Sequence, residues 1–272
     1  MPIIKVAEIQ DPRLDVFRNL PTTRVERKVG RFLAEGMLLV RRLLASGWPV
    51  ESLLADEQRL EEIGLPIPDE TMVYVVPRGT AARIVGFNFH RGVIACGIRP
   101  PRLTVQALDV WKQPQWLVPV CLEIQDPENL GGILRNAAAF GAAAVILGPR
   151  CADPLSRRVL RVSMGASLQV PLAYTDNPLE DLAWLAAQFG ATVWATVLAA
   201  DAQPLSMCER DERILLLLGN EAHGVPPPLQ EAADRRVTIP MAPAVDSLNV
   251  AVASGIFLHY IKFLACQHPQ AK

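Results

Sequence analysis

Residues 117–147 read LVPVCLEIQDPENLGGILRNAAAFGAAAVIL, and the fold class follows from them. Residues 117–124 are an apolar run of strand length. Asp126, Pro127, Glu128 and Asn129 form a turn cluster in which Asn129 is a good helix N-cap. The spacing predicts a helix over 131–140, stopped at Gly141, and a second apolar strand over 144–147. Strand, turn, helix and strand in this order make a unit of the parallel-sheet type, so the class is α/β. Gly131 and Arg135 lie four residues apart and share one helix face. A residue without a side chain one turn below an arginine leaves room for a group to approach the guanidinium. The turn also stands beyond the carboxyl end of a strand, where open α/β sheets bind ligands. The plain alternative is a solvated arginine above a glycine packed on the sheet.

Length and composition set the frame. The chain has 272 residues, half of them hydrophobic, enough for one large or two ordinary domains. No run of about 18 uncharged apolar residues predicts a membrane span, and residues 1–8 carry no apolar leader core. Cys96, Cys121, Cys151, Cys208 and Cys266 are scattered without a CxxC pair, as free thiols in a reducing compartment are. A cytoplasmic protein with no membrane contact is the expectation. The net charge is −1, but its distribution is uneven. Residues 13–42 hold eight basic side chains against three acidic ones, and residues 51–70 hold seven acidic against Arg59. A basic patch of this kind meets phosphate, or is an ordinary solvated helix face.

Along the chain, residues 1–20 read as irregular and 24–45 as helical in part, interrupted by Gly30 and Gly36. Strands are expected at 50–55, 72–76 and 92–98, with short helices near 57–63 and 79–85. This gives a small α/β domain over residues 1–105. Pro100, Pro101 and the weakly patterned stretch after them predict a linker over 106–116, and 117–272 form the second domain. Arg150, Arg157, Arg158 and Arg161 make a second basic cluster in which Arg157 and Arg161 are one helical turn apart. Residues 214–218 are a buried strand. It ends in Gly219-Asn220-Glu221-Ala222-His223-Gly224, where two glycines permit close approach of the backbone to a ligand. Glu221 there is either a site carboxylate or a solvated turn residue, and His223 reads as a turn residue. A strand over 237–239 ends at Pro240, and 247–264 form a helix apolar on every face, which predicts burial against another helix or a subunit.

Three motifs thus stand at three strand ends: Asn129-x-Gly131-x-x-x-Arg135, Gly219-x-Glu221-x-x-Gly224, and Ile239-Pro240-Met241 followed by Ser247-Leu248-Asn249-Val250. In this order they resemble the three motifs of the SpoU/TrmH family of SPOUT RNA methyltransferases, over about residues 117–264. Residues 31–36 and 90–93 resemble, less specifically, the family's small substrate-binding domain, which is like a ribosomal protein. The resemblance implies a trefoil-knotted SPOUT methyltransferase domain with a mostly parallel sheet. It implies a homodimer and transfer of a methyl group from S-adenosyl-L-methionine to a ribose 2′-hydroxyl of ribosomal or transfer RNA. Arg135, Asn129, Glu221 and Asn249 match its catalytic motif positions, and Leu218, Gly219, Ile239, Met241 and Leu248 its cofactor positions. Arg27, Arg31, Arg157 and Arg161 are the expected RNA contacts. Pro243-Ala244 departs from the glycine the family often has after the third motif's first half, which implies a stiffer cofactor loop.

A methyl sulfonium is already activated, so no metal is required, and no metal-like ligand spacing is present. Alignment supplies much of such a rate. Arginine is the family's proposed general base. A guanidinium holds its proton, however, and the other role for Arg135 is to bind phosphate and stabilise charge on the 2′-oxygen. Ribosomal RNA is the expected target because the two-domain layout often acts there, in housekeeping or in antibiotic resistance. Two other readings compete. A catalytically silent RNA-binding or assembly protein on the same fold would be expected to lose Arg135 or Asn249. A dinucleotide-binding enzyme would carry a GxGxxG after a first strand, and none is present.

Overall fold

The computed structural model describes residues 2–18, 30–85, 92–242 and 247–264. Arg27, His90, Arg91, Pro243 and Ala244 lie outside the described residues. By contact the chain divides into two compact units. One comprises Met1–Pro101 with Asp153–Gln169, the other Arg102–Ala152 with Val170–Lys272.

The first unit is a five-stranded sheet. Its strands are β1 (Ile3–Lys5), β2 (Arg31–Glu35), β3 (Val50–Asp56), β4 (Met72–Val76) and β5 (Val93–Ile98), in the order β1-β4-β3-β5-β2. β1, β4 and β3 are mutually parallel, and β5 runs antiparallel to β3 and β2. Both faces are buried, and the two-residue period of a strand sorts its side chains between them. Phe32, Leu53, Val73 and Val93 enter one core, while Leu33, Leu54, Tyr74 and Ile94 enter the other. Residues 31–35 are therefore strand, not part of an interrupted helix. Phe32, Leu33 and Ala34 in a row are all buried, which a half-exposed helix cannot arrange. The helix begins after Gly36, at Met37–Ala45. The irregular N-terminus likewise holds β1 and a short helix, Asp15–Arg18, which buries Phe17.

The segment Asp153–Gln169 completes this unit. Leu155, Leu160 and Leu168 sit in the same core as Phe32 and Leu43. Asp153, with its side chain only 3 % exposed, pairs with Arg99 at 2.7 Å, and Arg157 pairs with Glu35 at 3.1 Å. Sequence order alone puts this segment in the second domain, because its nearest strands, before and after it, belong there.

The second unit is a seven-stranded sheet of β6 (Trp116–Cys121), β7 (Val145–Leu147), β8 (Leu172–Tyr174), β9 (Thr192–Thr196), β10 (Gln203–Pro204), β11 (Arg213–Leu218) and β12 (Arg235–Thr238). The order is β10-β12-β9-β11-β6-β7-β8, and every strand pairing in it is parallel. Both faces are covered, so β11 is a continuous apolar run with Ile214–Leu218 buried throughout. From β6 the chain winds outward to β7 and β8, then reappears on the other side of β6 as β9 and β11. The carboxyl ends of β6 and β11 flank that reversal, where such sheets take ligands.

The expected linker is a packed element. Val105–Ala107 and Asp109–Lys112 are 3₁₀ turns. Val105 and Trp111, one in each turn, and Leu108, the extended residue between them, are all buried in the core of the second unit. Trp111 Nε1 donates to the Val105 carbonyl at 2.7 Å, and its ring meets Trp116 edge-on at 5.0 Å.

Candidate active site

The helix after β6 starts earlier than its sequence suggested. Asp126 is the N-cap, accepting the Glu128 N–H at 3.0 Å, and Pro127 opens the helix Pro127–Ala139. Proline is pre-shaped for that first position. Asn129 therefore lies inside the first turn, and its side-chain amide has no cap to serve. It is buried and donates Nδ2 to Glu221 Oε1 at 2.6 Å. Its Oδ1 accepts from Asn249 Nδ2 at 2.7 Å. Asn249 in turn caps the last helix, Val250–His259, its Oδ1 accepting the N–H groups of Ala251 and Val252. One residue from each motif thus joins a single chain of hydrogen bonds, Asn249 to Asn129 to Glu221.

Glu221 stands on the turn after β11. Asn220 and Gly224 exchange backbone hydrogen bonds of 3.1 and 2.8 Å, and Gly224 has φ +67°. A Cβ on Gly219 would lie 2.1 Å from the Gly224 carbonyl carbon. The turn closes so tightly that only glycine fits at its first position.

Beside this turn is a cleft of about 640 Å³, lined by Thr196, Leu198, Gly219, Glu221, Ile239, Met241, Leu248, Asn249 and Phe257 among others. Its size suits a drug-sized molecule. Apolar side chains line it together with the backbone of residues 219–224 and the polar Glu221 and Asn249. A lining part apolar and part polar suits a purine nucleoside with a charged tail, and S-adenosyl-L-methionine is a molecule of that kind.

Of the expected cofactor residues, Gly219, Ile239, Met241 and Leu248 line the cleft. Leu218 is buried at the end of β11, its carbonyl accepting the Leu122 N–H at 2.8 Å. The sequence reading missed Thr196, Leu198 and Phe257. Thr196 and Leu198 stand at and just beyond the carboxyl end of β9, a neighbour of β11 in a parallel sheet, and Phe257 on the last helix, but neither strand order nor helix docking is written in local pattern. Arg135 is exposed and makes no ion pair or hydrogen bond among the described residues. Gly131 is buried beneath it. The neighbouring Gly132 seats the last helix, since a Cβ there would lie 2.6 Å from Ala251 Cβ.

The expected RNA contacts are differently placed. Arg31 pairs with Glu51 at 2.6 Å, which raises the guanidinium's pKa above its ordinary value. Arg157 pairs with Glu35, while Arg158 and Arg161 are exposed. Among the described residues no cluster of His, Cys, Asp and Glu has the arrangement of a metal site. No helix among them is long and apolar enough to cross a membrane.

The sequence model of the SpoU rRNA Methylase family matches residues 117–259. A protein of Mycobacterium bovis described as an uncharacterized tRNA/rRNA methyltransferase is 37 % identical over 262 residues, covering 92 % of this chain and 88 % of that one. The 23S rRNA (guanosine-2′-O-)-methyltransferase RlmB of Acinetobacter baylyi is 34 % identical, covering 75 % of this chain and 84 % of its own. Among solved structures, the AdoMet-bound rRNA methyltransferase of Sinorhizobium meliloti superposes with a TM-score of 0.81 at 27 % identity, over 95 % of this chain and 97 % of that one.

Proposed function

The chain belongs to the SpoU rRNA methylase family, and on that premise we propose that it methylates a ribose 2′-hydroxyl of structured ribosomal RNA. The enzyme class is S-adenosyl-L-methionine-dependent RNA methyltransferase. The observation that carries the reading is the Asn249–Asn129–Glu221 relay, which gathers the three motifs at one edge of the cleft. The choice of ribosomal over transfer RNA is supported by the likeness to the Acinetobacter enzyme.

S-adenosyl-L-methionine, when bound, supplies a methyl group already activated for transfer. The apolar wall of Leu198, Ile239, Leu248 and Phe257 would hold its adenosine, and the backbone of the Gly219 turn its polar edge. The residues of the relay fix the turn and the cap against each other, so that the acceptor hydroxyl meets a preorganised edge. Arg135 would bind a phosphate beside the acceptor and stabilise charge growing on the 2′-oxygen. Its exposure argues for that role and against a general base, which needs burial or neighbouring cations to give up its proton.

Further parts of the reading concern assembly. The last helix leaves Val252 and Ile256 exposed, followed by Phe263 and Leu264. A groove of about 600 Å³ runs between this helix and Gly132 and Asn136. A second copy of the chain would cover this face, making a homodimer. β12 lies two strands from β11, and the chain then returns to lay Val250–His259 along Pro127–Ala139, a path that supports a trefoil knot. The first unit, with Arg27, Arg31, Arg157 and Arg161, would read the RNA by its phosphates, in the cytoplasm.

The test is transfer of labelled methyl to unmodified ribosomal and transfer RNA, separated afterwards, by wild type and Arg135→Ala. Label in ribosomal RNA that vanishes with Arg135→Ala is the expected result. Label in transfer RNA alone would overturn the substrate class. No label with either RNA and no cofactor binding would favour a silent RNA-binding protein.

A further inference from the structure

Two non-glycine residues near the cleft hold left-handed backbone: Glu123 at φ +57° and Arg150 at φ +61°. Such conformations are uncommon for residues with a Cβ and persist where the surroundings enforce them. The enforcement here is visible. Glu123 ends the extension of β6 and Arg150 follows β7, the adjacent strand, and their side chains form an ion pair. The next residues are tied by the Ala152 N–H donating to the Ile124 carbonyl at 2.8 Å.

The corner at Glu123 aims its carbonyl across to the neighbouring strand end. It accepts Asn220 Nδ2 at 2.9 Å. Asn220 Oδ1 accepts the Ala222 N–H at 2.9 Å, and its backbone pairs with Gly224. One amide side chain therefore uses its donor to reach the β6 corner and its acceptor to shape the turn that carries Glu221. Neither Glu123 nor Arg150 lines the cleft.

We propose that Asn220 is a positioning residue, and that the left-handed corner at Glu123 sets the cofactor turn through it. This rests on the methyl-transfer reading for its consequence in activity, but the pin itself is a property of the free protein. Apart from this bond, the ties described for the turn are the backbone pair of Asn220 and Gly224 at its base, the local Asn220 Oδ1–Ala222 bond, and Asn129 at its crest. With the Asn220 bond in place its backbone is fixed before any ligand arrives, which lowers the ordering cost of binding.

The discriminating variants separate the two bonds. Asn220→Asp keeps the acceptor for the Ala222 N–H and replaces the donor with an oxygen facing the Glu123 carbonyl. Glu123→Gly keeps a residue at ease with positive φ, whereas Glu123→Val places a β-branched residue where φ > 0 is strongly disfavoured. On the full-length protein, amide hydrogen exchange without cofactor reads the pin directly. Calorimetric titration with S-adenosyl-L-methionine and steady-state transfer then read its consequence. Asn220→Asp and Glu123→Val are expected to speed exchange at residues 221–224 at least tenfold, and to raise KM for the cofactor about tenfold with KM for RNA unchanged. Glu123→Gly is expected to keep exchange at those residues and cofactor KM within about twofold of wild type. Unchanged exchange at 221–224 in Asn220→Asp, or Glu123→Gly and Glu123→Val behaving alike, would overturn the proposal. A wild-type protein that fails to bind the cofactor would instead overturn the functional reading, and the exchange result would still decide the pin.

Discussion

Asn249 spends its two side-chain atoms on different structures: Oδ1 caps the last helix, and Nδ2 donates to Asn129 at 2.7 Å. The two uses are separable by substitution. Aspartate is as good an N-cap as asparagine but has no hydrogen to give Asn129. Asn249→Asp is expected to keep the cap but to cost about 1–3 kcal/mol of stability, because the buried Asn129 oxygen is left unsatisfied, and to lower kcat/KM as the relay is cut. Asn249→Ala should lose the cap as well, a further ~0.5–2 kcal/mol in stability. Thermal unfolding and kcat/KM, measured side by side, check this.

Asn129 and Glu221 share one bond of 2.6 Å, so their losses should not add. Combining Asn129→Ala with Glu221→Ala is expected to cost less than the sum of the two single changes, with a coupling of about 0.5–3 kcal/mol. A double-mutant cycle in kcat/KM measures it, and strict additivity would break the relay.

Two glycines make contrasting predictions. At Gly219 the added Cβ meets backbone at 2.1 Å, and the turn must open. Gly219→Ala should lower cofactor affinity more than tenfold in calorimetry. At Gly132 the added Cβ meets the Ala251 side chain at 2.6 Å, which pushes two helices apart. Gly132→Ala should destabilise by about 1–3 kcal/mol, read as a lower urea midpoint.

Trp111 sits at the end of a three-residue repeat of buried side chains, 2 % exposed and hydrogen-bonded to Val105. If residues 106–116 were a flexible tether, Trp111→Ala would be silent. As a core residue it should cost about 3–5 kcal/mol, checked by denaturant unfolding.

Cys151 gives a pH signature. Burial pushes its thiol from 9.0 to about 11, against backbone hydrogen bonds that pull it down. A raised folded-state value means the unfolded chain releases its proton first. The contribution to stability is whole below pH 9.0 and is lost as pH rises toward about 11. At pH 8 alkylation of Cys151 in the native protein should run roughly a hundredfold slower than for a free thiol, followed by peptide mass spectrometry.

The parts of this protein legible in its sequence are those written in local pattern. The β6 strand and the glycines of the 219–224 turn announced themselves, and so did the candidate residues of the three motifs. Asn129 was found as a site residue through its place in the first motif, but its local role was mistaken. It read as a cap, and only the fold shows that Asp126 caps while Asn129 turns to Glu221. The linker was misread because a three-residue repeat of Val105, Leu108 and Trp111 matches neither the helical nor the strand period. The membership of residues 153–169 was beyond local reading altogether, since Arg99 and Asp153 are fifty-four positions apart in sequence. The last helix read as buried against another helix or a subunit; it packs along Pro127–Ala139 and leaves Val252 53 % exposed.

That inserted segment has a consequence for how the chain comes into being. Leu155, Leu160 and Leu168 belong to the core that Phe32 and Leu43 begin. A nascent chain that has emerged only as far as Pro101 lacks them, together with the partner of Arg99. At roughly 5–20 residues per second, translation needs on the order of several seconds more before Leu168 exists. Throughout that interval the first unit must wait with an unfinished core, while β6, β7 and the helix between them are already leaving the ribosome. The usual order of birth, in which the N-terminal body closes before the next begins, is not open to this chain.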